Sequence, residues 1–379
     1  MNLENIRKEI DDVDSQLVGL YKKRTGLVTE VAQYKKENNL PVLDSNREKI
    51  LLEKVSVLAG EDFSDDIKAL FSLLMDLSKT RQIKLLNTVS QTAEKINNAV
   101  KNTPSLFPEK STVACQGSSG AYSNIAAEKI FKQPTIMNFS TFDDVFKAVE
   151  SGLCKYGVLP LENSTAGSVN KIYDLMLNHN FNIVRSTRII AGHSLLAKQG
   201  VKLTDIKEVY SHEQAINQCA DYLKDLNVKI TSCENTAKAA EYVASSGRTD
   251  IAAICSKSCA EIYNLNSLAD NIQDNANNYT RFICISKNPE IYPGADRTSI
   301  MFSTKHEPGS LYKIISKFNA LNINILKLES RPIPDRDFEF MFYIDFNTSV
   351  YSDKLTLLLT SVENEVESFR YLGSYSEVL

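Results

Sequence analysis

Two groups of polar residues have types and spacings that could do chemistry. In the first ninety residues, Arg24 and Lys35 are eleven apart. On an α-helix that is about 1100°, roughly 20° past three full turns, so both cations share a face. Asp44, Arg47 and Glu48 stand at i, i+3 and i+4, again one face. Ser78 and Gln82 form an i, i+4 polar pair among Leu70, Phe71, Leu74 and Leu77. Such cations suit a small carboxylate ligand, because the planar guanidinium of arginine matches a carboxylate. Arg7 lies seventeen residues before Arg24, about 100° out of phase and roughly 25 Å along the axis. One helix cannot aim both at one small ligand, so a second chain must supply Arg7 if it joins the site. Taken singly, each of these residues also reads as part of a solvated helix face.

The second group crowds the ends of β-rich runs. Gly117-x-x-Gly120-x-Tyr122-Ser123 opens a helix after one strand. Glycines let backbone approach a ligand, and a helix N-terminus favours an anion. It is not the G-x-G-x-x-G dinucleotide fingerprint. Glu162, Asn163, Ser164 and Thr165 crowd carboxylate, amide and hydroxyls at a second junction, which alone reads as a helix cap. Ser211-His212-Glu213-Gln214 makes a third, and Thr280-Arg281-Phe282 leads into a strand at a fourth.

Three kinds of element must hold these residues. Ile6, Ile10, Val13, Leu17, Leu20, Leu27, Val28 and Val31 recur at helical intervals, predicting a helix over about 3–38. It would be roughly 54 Å long, too long for a lone 90-residue domain and calling for a partner, most simply a second copy. Further helices are expected near 45–59 and 64–97, with Ser45 and Glu48 at capping-box spacing and Ser64 as a cap. Residues 98–109 and 288–297 carry prolines and no period and read as linkers, with loose tethering expected at 98–109. Between them, STVAC, YGVLPL, IVRSTRII, EVYSH, DIAAIC and RFICIS alternate with helical stretches, an α/β pattern over 110–287. The segment 298–379 reads as βαββαβ, a ferredoxin-like sandwich. Its third strand has Phe338, Phe340, Phe342, Ile344 and Phe346 on one face.

Composition narrows the function. At 379 residues the chain predicts two to three domains. Its net charge of −4 supplies no global positive field, arguing against nucleic acid and anionic membrane as partners. No run of 18 apolar residues occurs, and MNLENIRKEIDDVDSQL reads as neither signal nor transit peptide. Seven cysteines, an odd number without C-x-x-C, read as reduced thiols of a cytoplasmic protein rather than disulfides or a zinc site. No metal and no cofactor is expected.

The ordered motifs resemble known families. Arg7-x6-Asp14, Arg24, Lys35, Pro41-Val-x-Asp44-x-x-Arg47-Glu48 and Ser78-x3-Gln82 resemble the helical chorismate mutases over residues 1–92. The resemblance implies an intertwined dimer of three-helix subunits. It also implies Arg7 from the partner with Arg24 and Arg47 at the carboxylates, Lys35 and Gln82 at the ether oxygen, Glu48 at the ring hydroxyl, and Asp44 and Ser78 orienting the pocket. The set G-x-x-G-x-Y-S, P-x-E-N-S/T, S-H-x-Q and N-x-T-R-F resembles prephenate dehydratase over 110–287. That family has two α/β lobes, like the periplasmic binding proteins, with the site between them. By this resemblance Thr280 assists departure of the ring hydroxyl. Asn163, Ser164, Thr165 and Gln214 bind substrate, with Ser123 at a carboxylate. Arg281 either pairs with a carboxylate or holds the strand. Glu213 replaces the family's usual proline.

His306–Ile315 and Leu328–Pro332 resemble the two ligand loops of the ACT regulatory domain. There the loops bind phenylalanine at a dimer interface, implying effector roles for Gly309, Ser310, Leu311, Glu329, Ser330, Arg331 and Pro332. Tyr312 departs from the common first motif and is large enough to fill the pocket. The domains implied are 1–97, 110–287 and 298–379. Together they imply a bifunctional enzyme of phenylalanine biosynthesis, a homodimer or larger, with chorismate and prephenate as substrates and L-phenylalanine as inhibitor. Arogenate as substrate and a non-catalytic amino-acid sensor are the alternative readings.

Overall fold

The computed structural model describes residues 2–38, 40–86, 90–275, 277–334, 336 and 339–379. Helix α1 (Leu3–Glu37) runs straight through Gly19 and Gly26. Its row Leu3, Ile6, Ile10, Val13, Leu17 and Leu20 is exposed in the single chain. A short 3₁₀ turn joins α2 (Ser45–Ala59) to α3 (Ser64–Leu86), and α3 packs on both α1 and α2. Asp44 caps α2, its carboxylate accepting from the Arg47 amide at 3.0 Å; the side chain of Ser45, expected to do this, lies outside the description. Ser64 does not cap: it is already helical, and its hydroxyl meets that of Ser56 at 2.6 Å.

The helix expected to reach residue 97 is two helices. α3 ends at Leu86, and Ser90 caps a new one, α4 (Gln91–Asn102). Ile96 and Ala99 of α4 pack into the core of the C-terminal unit with Phe302, Phe318 and Leu358. The stretches read as linkers are therefore firmly held. Phe107 packs on Phe131 and Tyr292 at ring distances of 5.0 and 4.8 Å, and Ile291 and Ala295 are buried. Their scattered apolar residues have no period because they fill gaps between units.

The middle region forms two lobes. The first contains β1 (Lys110–Gln116), α5 (Tyr122–Ile130), β2 (Gln133–Phe139), α6 (Phe142–Glu150), β3 (Tyr156–Asn163), β4 (Gly167–Ser168), α7 (Asn170–Asn178) and β5 (Asn182–Ile190). The chain crosses into the second lobe: β6 (Ser194–Lys198), β7 (Glu208–Ser211), α8 (Glu213–Gln218), α9 (Ala220–Leu226), β8 (Lys229–Ser232), α10 (Thr236–Ser245), β9 (Ile251–Cys255), α11 (Cys259–Ile262) and β10 (Leu265–Ala269). It then returns as β11 (Tyr279–Ser286) between β3 and β5. The second lobe's sheet has the order β10-β6-β9-β7-β8. Two crossings leave a cleft between lobes where strand ends meet, a common place for ligands in α/β folds.

The C-terminal unit is βαββαβ: β12 (Arg297–Ser303), α12 (Ser310–Ala320), β13 (Ile325–Pro332), β14 (Phe340–Asn347), α13 (Asp353–Glu363) and β15 (Ser368–Val378). Its antiparallel order β13-β14-β12-β15 is ferredoxin-like. β14 is not the half-exposed strand its alternation suggests. Ile344 and Phe346 bury on the helix side, while Tyr343 and Asp345 bury on the other. Phe338 lies outside the described residues. The second face is covered because β15 also pairs with β5, Ser376 opposite Arg185, so one sheet runs through both units. Gly373 permits that junction: at φ 147° a Cβ there would lie 2.1 Å from the Ile183 carbonyl oxygen.

Candidate functional sites

The N-terminal helices gather part of the first group. Arg24 donates from Nη1 to Ser78 Oγ at 2.6 Å and to the Leu74 carbonyl at 3.1 Å. Lys35 Nζ reaches the Val42 carbonyl at 2.6 Å, tying the α1–α2 loop to α1. Glu48 pairs with Lys79 at 3.2 Å. Gln82 is buried, and its Oε1 has no hydrogen-bond partner among the described residues. Such a group stands out, because the large majority of buried side-chain polar atoms are hydrogen-bonded. Arg7 and Arg47 are exposed in the single chain.

Lys79 was not anticipated. It also meets Asp76 at 2.9 Å and Glu365, just past the end of α13, at 3.5 Å. Burial alone would lower its pKa, but the Glu365, Asp76 and Glu48 carboxylates outweigh burial and raise it, so it stays charged.

In the cleft, β3 and β11 pair with Asn163 opposite Thr280. Asn163 Nδ2 donates to Thr280 Oγ1 at 2.9 Å and to Asn278 Oδ1 at 2.7 Å. Its Oδ1 accepts from the amides of Thr165 and Ala166 at 3.0 and 2.8 Å, which fixes the amide's orientation. Ser164 closes the corner: its hydroxyl donates to the Asn277 carbonyl at 3.1 Å and accepts from the Tyr279 amide at 2.9 Å. Because Thr280 Oγ1 already accepts, its own proton is the one left to give. A cavity of about 500 Å³ opens beside this corner. Thr165 and Asn278 line it from one side, His212, Gln214 and Gln218 from the other. Glu213 is exposed at the start of α8, on the cavity wall.

Two expected ligand groups point elsewhere. Ser123 is buried, and its hydroxyl donates to the Gln116 carbonyl at 2.6 Å, closing the strand–helix corner instead of facing a carboxylate. Arg281 is buried as well. Its Nη1 lies 2.5 Å from Asp345 and 3.3 Å from Glu162, and Nη2 donates to the Tyr375 hydroxyl at 2.8 Å. Burial alone would lower its pKa; Tyr375 and Asp345 override this and hold it charged. Of the two roles left open for Arg281, this geometry fits the structural one, because its guanidinium is buried against Asp345, Glu162 and Tyr375.

Other residues at the cleft carried no assigned role in the sequence. Asn278 is buried on the cavity wall with its Nδ2 unpartnered among the described residues. Its signal was the first position of N-x-T-R-F. Tyr122 reaches across the lobes, its hydroxyl donating to the Gly192 carbonyl at 2.6 Å and lying 3.2 Å from His193 Nδ1. His193 Nε2 lies 2.8 Å from Gln218, and burial lowers its pKa. Gly120 lets this loop close on the second lobe, since a Cβ there would meet Cys259 Sγ at 2.8 Å.

The C-terminal motifs separate. Ser310 and Leu311 line a cavity of about 220 Å³ with His306 and Phe342. Tyr312 is exposed outside it and does not fill it. Glu329 and Arg331 turn toward α7 and β4: Arg331 forks onto Asp174 at 2.8 and 3.1 Å, and Glu329 accepts from Ser168. Ser330 and Pro332 face outward on an edge strand.

Comparison with known proteins follows the same division. Residues 6–83 match the family model of chorismate mutase type II, and residues 113–290 that of prephenate dehydratase. The bifunctional chorismate mutase/prephenate dehydratase of Buchnera aphidicola (subsp. Acyrthosiphon pisum) is 33% identical over 97% of this chain and 95% of its own. Arogenate dehydratase/prephenate dehydratase 1 of Arabidopsis thaliana is 40% identical over 70% of this chain and 72% of its own. A prephenate dehydratase from Arthrobacter aurescens, solved with L-Phe, superposes with a TM-score of 0.65 at 26% identity, covering 70% of this chain and 90% of that one. The helical unit carrying Arg24 and Ser78, and the cleft carrying Asn163 and Thr280, thus lie in one chain in the order of those relatives: the chain belongs to the bifunctional chorismate mutase/prephenate dehydratase family.

Proposed function

We propose that the chain catalyses two consecutive steps of phenylalanine biosynthesis, chorismate to prephenate and prephenate to phenylpyruvate. The first is a pericyclic rearrangement needing neither nucleophile nor cofactor. The protein holds a compact conformer and stabilises charge on the breaking ether oxygen. Arg24 and Arg47 face the carboxylates, with Arg7 arriving from a second copy. The exposed apolar row of α1 is the surface such a copy would cover, and this supports an intertwined dimer. Lys35 and Gln82 serve the ether oxygen and Glu48 the ring hydroxyl, with Asp44 and Ser78 holding the pocket.

In the second step, water and carbon dioxide leave and the ring becomes aromatic. The observation that carries the reading is the Asn163–Thr280 hydrogen bond at 2.9 Å. It leaves the Thr280 proton directed at a departing hydroxyl, and accepting one hydrogen bond makes a hydroxyl a better donor. Ser164, Thr165 and Gln214 bind the substrate's polar groups. Ser123 and Arg281 act on the frame of the site.

The C-terminal unit is an ACT domain in this reading. L-phenylalanine binds at Gly309, Ser310 and Leu311, completed by the outward edge of β13 with Ser330 and Pro332 from another copy. Glu329 and Arg331 act from the inward face. No described helix is long and apolar enough to cross a membrane, and the free cysteines fit a cytoplasmic setting. Arogenate as the second-step substrate has the names of the plant relatives in its support, less than prephenate, which the bifunctional relatives matching nearly the whole chain name. Family membership supports an enzyme over a non-catalytic sensor.

The test is product formation from purified protein and prephenate, with and without phenylalanine. Phenylpyruvate whose formation phenylalanine suppresses is expected. No phenylpyruvate from prephenate, with turnover of arogenate, would reassign the substrate. Full activity in saturating phenylalanine would leave the C-terminal unit a dimerisation module only.

A further inference from the structure

β13 presents two different faces. Leu326, Leu328, Ser330 and Pro332 are exposed, while Lys327, Glu329 and Arg331 face the first lobe. All three inward residues land on one segment, residues 162–174. Lys327 makes the most connections: 2.7 Å to Glu162 Oε2, 2.9 Å to Ser168 Oγ and 3.7 Å to Glu329.

Glu162 is the residue beside Asn163. Its other oxygen accepts from Arg281, the residue beside Thr280, at 3.3 Å. In the β3–β11 register, Glu162 stands opposite Arg281 and Asn163 opposite Thr280. The pair at the site and the pair that braces it are therefore adjacent rungs of one ladder. A carboxylate at this depth would resist ionisation, yet the hydrogen bond and charge of Lys327, with the charge of Arg281, lower the Glu162 pKa. Asp345 meets the same Nη1 of Arg281 at 2.5 Å. Nothing in the motifs of the dehydratase region points to Lys327, because it comes from the C-terminal unit.

We propose that Lys327 is a positioning residue for the dehydratase step. It fixes Glu162, and through Glu162 the Asn163 corner that orients Thr280. It touches no reacting atom. The proposal rests on the reading of Thr280 given above. It differs from simple adhesion between units, which would alter stability and leave turnover alone.

The experiment uses the full chain in five variants: Lys327→Met, Lys327→Arg, Glu162→Gln, the Met/Gln double variant and Thr280→Ala. Turnover of prephenate and of chorismate is measured for each, well below the unfolding temperature. Lys327→Met is expected to lower dehydratase kcat about tenfold, inside the ~100-fold that a 1 Å misplacement can cost. KM should move by less than about twofold, since binding groups are intact. The mutase rate, an internal report on folding, should not change. Lys327→Arg should recover most of the loss. The double variant should be no slower than the slower single one, as expected of two residues acting through one contact. An unchanged dehydratase kcat in Lys327→Met, a parallel fall in the mutase rate, or losses that multiply in the double variant would each overturn the proposal. A dehydratase rate retained in Thr280→Ala would instead overturn the site reading beneath it.

Discussion

Thr280 shows how little the residue type alone reveals and how much its neighbours add. A threonine hydroxyl is a weak acid. Here Asn163 donates to it, and two backbone amides hold Asn163 in that orientation. In the proposed role the hydroxyl acts and the methyl group does not. Thr280→Val should therefore remove dehydratase activity and Thr280→Ser should keep much of it, read as phenylpyruvate from prephenate. Equal activity in Thr280→Val would refute the role. Arg24 makes the corresponding test for the mutase. Arg24→Ala should cost roughly 2–5 kcal/mol of transition-state binding, the range for a buried charge pair, or about 30-fold or more in rate. Unchanged mutase kinetics would remove Arg24 from the site. These residues were legible because type and spacing agreed at several positions. Arg281 was not, since the carboxylate it serves, Asp345, lies 64 positions away in another unit.

At the scale of elements, periodicity was readable where one face meets water. The long helix α1 and the apolar runs of β3, β5, β9 and β11 stand out for that reason or for their continuous burial. The edge strands β2 and β8 did not. β2 carries Pro134 and Asn138 and alternates exposed and half-buried residues, while β8 has only four residues, mostly exposed. The break between α3 and α4 was missed because α4 turns its apolar stripe to a different core. β15 gives the element-level prediction. Gly373→Ala forces a Cβ onto the Ile183 carbonyl at a left-handed φ, so the β15–β5 junction must open. We expect a loss of about 2–4 kcal/mol, the range of severe single substitutions, seen as a lower denaturant midpoint. Stability within about 0.5 kcal/mol of the parent, the usual span for neutral surface changes, would show the junction to be dispensable.

Across the whole molecule, carboxylates are the mortar between units. Glu162 meets Lys327 and Arg281, and Glu377 of β15 meets Arg188 and Arg297. Glu365 meets Lys317 and Lys79. For all three, burial pushes the pKa up but the paired cations bring it below the ordinary glutamate value. A carboxylate with a depressed folded pKa contributes stability that is fully present above the unfolded value, about 4.3, and is lost as pH falls through the folded value. The unfolding temperature should therefore hold from neutrality down to about pH 5 and drop below about pH 4, with the loss smaller in Glu377→Gln. A flat profile to pH 3 would show that these pairs contribute little. The helical first unit and the α/β character of the middle region were legible from period. The contacts between units were not, because cross-unit ion pairs leave no local pattern.

In the proposed function two separate sites in one chain act in sequence, the second on the product of the first. The direct test supplies chorismate to the parent and to Thr280→Ala and follows both products. Phenylpyruvate is expected from the parent, and prephenate accumulating without phenylpyruvate from the variant. Phenylpyruvate from Thr280→Ala, or a folded variant that fails to consume chorismate, would contradict the proposed function.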